Sequence, residues 1–115
     1  MRVAVVAGPD PGHAFPAIAL CLRFIAAGDT PTLLTGRKWL EAARGEGIHA
    51  VELAGLDPTA DDDDSDSGAK IHRRAARMAV LNQQGIEELA PDLVVSDSIT
   101  TCGGLAADLL GLPWI

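Results

Sequence analysis

Met1 to Pro16, reading MRVAVVAGPDPGHAFP, decide the fold. Val3 to Ala7 form an apolar run that is continuous rather than alternating, the pattern of a strand buried on both faces. The run ends at Gly8, passes through a loop with a second glycine at Gly12, and delivers His13 to the start of a helical pattern. A strand, a glycine-bearing turn and a helix N-terminus together make the site-bearing corner of an open α/β sheet. His13 on that corner is the first candidate for chemistry.

Beyond that corner, Ala14, Ala17, Ile18, Cys21, Leu22 and Ile25 recur at three- and four-residue spacing and predict a helix from about His13 to Ala27. Pro16 then falls in its first turn, where a missing N–H leaves nothing unpaired. Gly28-Asp29 stops the helix, and Thr32 to Thr35 reads as a second buried strand introduced by Pro31. Gly36 opens a short helix with Leu40 and Ala43 inward, ending near Gly45 and Gly47, and Ile48 to Leu53 supplies a third strand. Residues from about 55 to 68 are aspartate-rich with little to bury, and read as an exposed loop.

Ser67 is expected to cap the next helix, with Ile71, Ala75, Met78, Ile86 and Leu89 as its apolar stripe and Arg73, Arg74 and Arg77 mostly on its wet side. Ala90-Pro91 breaks it. Leu93 to Val95 is a fourth strand ending at Ser96-Asp97-Ser98, and a helix from about Thr101 to Leu110 carries Gly103, Gly104, Ala106 and Ala107, small enough for close packing on a sheet. Leu112 to Ile115 enters a fifth strand. Strands alternating with helices at this spacing predict right-handed βαβ units. The expected class is α/β, a Rossmann-like open parallel sheet with helices on both faces. Residues 1–115 form a single, incomplete domain, expected to be a piece of something longer. The exposed edge beside Trp114 makes homo-oligomers an expectation.

The 115 residues carry a net charge of -7, but Asp57, Asp61 to Asp64 and Asp66 supply six of the sixteen acidic residues. The remaining ten face nine Lys and Arg. A near-neutral body has no basic face for nucleic acid. Arg23, Gly28 and Asp29 interrupt the longest apolar stretch, so no transmembrane segment is expected. Val3 to Ala7 is too short for a signal peptide, and a cytoplasmic location follows as the expectation. Cys21 and Cys102 fit no ligand spacing and read as small core residues. No metal is expected either. Asp62, Asp64 and Asp66 alternate like a calcium loop, but Ser67 stands where its glycine should be and Arg73 where its glutamate should be.

Neighbouring first and fourth strands would bring Gly12-His13 and Asp97 to one rim, at the switch point where an open α/β sheet forms its crevice. A carboxylate fixes an imidazole in one tautomer and stabilises the ion formed when it takes a proton. The helix N-terminus beneath His13 favours the neutral ring. Both influences suit a general base. Spacing alone leaves the plainer reading open, a solvated histidine opening a helix and an aspartate capping the next one. A dinucleotide site is disfavoured, because Gly8-Pro-Asp-Pro-Gly12 is not Gly-x-Gly-x-x-Gly and strand two ends in Thr35-Gly36 with no carboxylate. Pro9 and Pro11 remove two N–H groups that a phosphate cradle would need.

Gly12-His13-Ala14-Phe15-Pro16 with Gly28-Asp29-Thr30-Pro31-Thr32, followed far downstream by Pro91-Asp92-Leu93-Val94-Val95-Ser96-Asp97 and Gly111-Leu112-Pro113, resembles the N-terminal domain of GT-B glycosyltransferases. The UDP-glycosyltransferase-like group is the most similar. The resemblance implies inverting transfer of a sugar from a nucleotide-sugar co-substrate to the hydroxyl of a small-molecule acceptor, with no cofactor. It implies His13 as catalytic base and Asp97 as its partner, with Gly12, Phe15 and Ser98 beside them as substrate-binding residues. The nucleotide-sugar would bind mainly to a C-terminal domain or partner chain absent from these residues, so the chain alone is expected to be inactive. Two alternatives remain: a non-catalytic binding subunit of a split transferase, or a piece of another Rossmann-type sugar-nucleotide enzyme.

Overall fold

The computed structural model describes residues 1–60 and 66–115. Four parallel strands, β1 (Arg2–Val6), β2 (Thr30–Thr35), β3 (His49–Glu52) and β4 (Leu93–Ser96), form one sheet in the order β3-β2-β1-β4. Among the described residues, four α-helices alternate with them: α1 (Pro11–Ala26), α2 (Leu40–Gly45), α3 (Ser67–Leu89) and α4 (Cys102–Leu110). A 3-10 turn, Arg37–Trp39, leads into α2.

The unbroken apolar run of β1 divides its side chains between two cores. Val3, Val5 and Ala7 pack with Ala17, Cys21, Leu40 and Ala43 of α1 and α2. Ala4 and Val6 pack on the opposite face with Met78, Ala79, Ile86, Ala106 and Ala107 of α3 and α4. Helices therefore cover both faces of the sheet. The chain changes sides after β3, which puts the switch point between β1 and β4.

Gly103 lets α4 sit close on that seam. A Cβ there would lie 2.7 Å from Val6 Cβ and 3.0 Å from Ser96 Oγ. Both thiols are buried, and desolvation pushes Cys21 and Cys102 up to about 11, so they stay protonated and unreactive. Where a fifth strand was expected, Val94 and Trp114 form an isolated parallel bridge, and Ser96 N–H donates to Ile115 O at 2.8 Å.

Several expectations need correction. Helix α1 starts at Pro11, whose fixed φ suits the first helical position, so Pro16 lies in the second turn rather than the first. Pro31 is inside β2. Thr30 N–H donates to Met1 O, so alternate residues of β2 face β1, and Pro31 points its nitrogen toward β3. Pairing with β3 begins only at Thr32, so the ladder loses nothing. Asp66, not Ser67, caps α3, accepting from the N–H groups of Gly68 and Ala69.

Ile71 is exposed, because the first turns of α3 overhang the sheet rather than pack on it. Arg74 turns back from α3 and donates to Leu56 O. The gap in the apolar stripe is filled by buried Asn82. Its side chain accepts from Ala54 N–H at 2.9 Å and donates to Ala54 O and Met78 O at 2.9 and 2.7 Å, ending β3 against α3. The expected loop at about 55–68 is seen only at its ends, since 61–65 lie outside the described residues.

Candidate active site

The candidate site is a convergence of two strand ends. Val6 pairs with Ser96, so the residues that leave the sheet next, Ala7-Gly8 and Asp97-Ser98, emerge side by side. Asp97 N–H donates to Val6 O at 2.9 Å, fixing the backbone of the second loop to the end of the first strand. The carboxylate then spans the gap. Its Oδ1 accepts from Ile99 N–H at 3.0 Å and its Oδ2 from Gly8 N–H at 3.3 Å. Oδ2 also contacts His13 Nδ1. The two residues that the sequence separates by most of the chain are thus in bonding contact.

His13 is the third residue of α1, in the first turn of the helix. Partial burial works to raise the Asp97 pKa. The amides of Ile99 and Gly8 and the neighbouring imidazole outweigh it, and the group ends below the ordinary aspartate range. Asp97 is therefore an acceptor. With Nδ1 occupied by that carboxylate, Nε2 is the nitrogen left to take a proton.

Two hollows meet at His13. The larger, about 620 Å³, lies between the two loops and α3, within the range of small-molecule sites. His13, Ser98 and Thr100 line it with Leu56, Ile71 and Met78. The smaller, about 220 Å³, holds Gly12 and Asp97 with His13. Of the residues expected to contact substrate, Ser98 and Gly12 border these hollows on either side of the dyad. Phe15 lines neither: its ring meets Trp39 edge-on, with centroids 4.9 Å apart.

His72 and Arg74 also line the larger hollow, whereas the sequence pattern puts Arg74 mostly on the wet side of its helix and gives His72 no role. The exposure of Ile71 has the same origin, since the overhanging end of α3 forms one wall of the cleft. No sequence signal marked this wall, because helical periodicity does not tell a sheet-facing stripe from a cleft-facing one. Among the described residues, no cluster of three His, Cys, Asp or Glu could hold a metal, and no helix is long and apolar enough to cross a membrane.

No family model matches the chain. Over its whole length it is 30% identical to an L-demethylnoviosyl transferase of Streptomyces niveus, covering 34% of that protein. The glycosyltransferase SnogD of Streptomyces nogalater superposes on 99% of the chain with a TM-score of 0.76 at 25% identity, the match covering 33% of SnogD. The glycosyltransferase SsfS6 of Streptomyces sp. SF2575, solved with thymidine diphosphate, matches 99% of the chain at a TM-score of 0.74 and 23% identity, over 37% of its own length. The chain spans about a third of the length of these relatives.

Proposed function

We propose that this chain, which has the fold of the GT-B glycosyltransferases and spans about a third of their length, is their N-terminal, acceptor-binding side, with His13 as general base and Asp97 as its orienting partner. The observation that supports this reading is the contact between His13 Nδ1 and Asp97 Oδ2, with His13 lining both hollows and Asp97 the smaller one. In the proposed step, an acceptor hydroxyl in the hollow gives its proton to His13 Nε2. Its oxygen bonds to the anomeric carbon of the sugar as the bond from that carbon to the nucleotide diphosphate breaks. Attack from the face opposite the departing diphosphate inverts the anomeric centre. The proton rests on an imidazolium that Asp97, held ionised by two amides, stabilises.

The donor would be a nucleoside-diphosphate sugar, consistent with the thymidine diphosphate bound to SsfS6, and would sit on a second domain or chain. The acceptor would lie against Leu56, Ile71, Met78 and Ile99, with Ser98 and Gly12 near its reacting end. Purified alone with nucleotide-sugars and an acceptor panel, the chain is expected to yield no glycoside. Joined to a donor-binding domain it is expected to yield one, and Asp97→Asn should cut that rate by roughly 10²-fold or more. Product from the 115-residue chain alone, or full activity in Asp97→Asn, would contradict the proposal.

A further inference from the structure

We propose that Trp39, together with Thr35, is a positioning residue for His13, acting through the carbonyl groups of the loop that precedes it. This inference rests on the reading of His13 as the base. Pro9 and Pro11 have no N–H, and the N–H of Gly8 is given to Asp97. The loop therefore has little with which to hold its own shape. What it presents outward is a run of carbonyl oxygens, and each finds a donor. Gly8 O accepts from Thr35 Oγ1 at 3.1 Å, and Pro9 O accepts from the indole Nε1 of Trp39 at 2.6 Å. Asp10 O accepts from His13 N–H and Ala14 N–H at 3.0 and 2.9 Å, which starts α1.

The first two donors come from the end of β2 and the turn after it, and neither residue lines the cleft. Gly36, between them, completes the seat: a Cβ there would stand 2.7 Å from Pro9 Cβ. Trp39 also meets the ring of Phe15, two residues beyond His13. It thus grips the chain on both sides of the histidine, on Pro9 before it and on Phe15 after it. Phe15, expected to touch substrate, serves in this arrangement as the far half of the grip. The first turn of α1 sets where the imidazole meets Asp97, and Trp39 holds that turn through Pro9 O and the Phe15 ring.

The test is the tautomer state of the imidazoles in the 15N-labelled chain near neutral pH, read by long-range 15N–1H correlation. Trp39→Phe keeps the ring that meets Phe15 and removes the N–H. It is expected to lower the ratio of Nδ1–H to Nε2–H tautomer at His13 by about threefold, the scale of one hydrogen bond lost. The sheet amides and His49, whose Nδ1 bonds Thr32 Oγ1 at 3.1 Å, should not change. Thr35→Val should shift His13 in the same direction by less, and decides the matter if Trp39→Phe disturbs the sheet. An unchanged His13 ratio in both variants, while Asp97→Asn changes it, would overturn the role of Trp39 and leave the dyad standing. An unchanged ratio in Asp97→Asn as well would overturn both.

Discussion

The two loops that form the cleft are held in opposite ways. The loop after β4 holds itself: Asp97 accepts the N–H of Ile99, and Ser96 Oγ donates to Thr100 O at 3.1 Å. The loop after β1 is held from outside, by Thr35 and Trp39, 27 and 30 residues away from the carbonyls they grip. The carboxylate of Asp97 serves both, through Ile99 in its own loop and Gly8 in the other. A short-range loop survives loss of its neighbours, whereas a clamped loop is only as well placed as the element that clamps it.

The largest expected effect is that of Asp97→Ala, which frees the part-buried Gly8 amide, the Ile99 amide and the imidazole together. It should cost about 2–3 kcal/mol in urea unfolding, with faster amide exchange in both loops. Gly36→Ala comes next, at about 1–2 kcal/mol, since the added methyl drives into Pro9. Its exchange signature should be confined to residues 8–14, and spread into residues 97–101 would break the distinction between the loops. Ser96→Ala removes one neutral bond and should cost less than about 1 kcal/mol, with exchange rising only after β4.

Acid should sharpen the contrast. The folded pKa of Asp97 lies below its unfolded value, so its contribution to stability is fully present above about pH 4 and is lost as pH falls through the folded value. Thermal unfolding followed from about pH 6 to pH 2 should show a shallower decline in Asp97→Asn than in the parent. Equal slopes would mean that the carboxylate is no better held in the folded chain than in the unfolded one.

The same contrast decides what could be read in advance. Strands β1 and β4 were legible as unbroken apolar runs, and their pairing brings His13 and Asp97 to one rim as expected, although spacing alone left the plainer reading of the two residues open. Self-contained features of this kind have their causes within a few residues or in topology. The clamp was not legible, because no pattern of side chains records which way a loop carbonyl points. Asn82 was passed over for a related reason: a polar residue interrupting an apolar stripe looks like a flaw until Ala54 is seen to need both a donor and an acceptor there. Ile71 was misassigned because the stripe continues past the sheet, where its apolar side chain lines a cleft wall instead of a core.

The central claim is that His13 takes the proton of the acceptor hydroxyl, and His13→Ala tests it most directly. In a transferase assembled from this domain and a nucleotide-sugar-binding domain, the transfer rate at saturating acceptor should fall by roughly 10²- to 10⁴-fold, with acceptor affinity changed less than about threefold. A rate within about threefold of the parent, under the same conditions, would mean that the imidazole held by Asp97 is not the base.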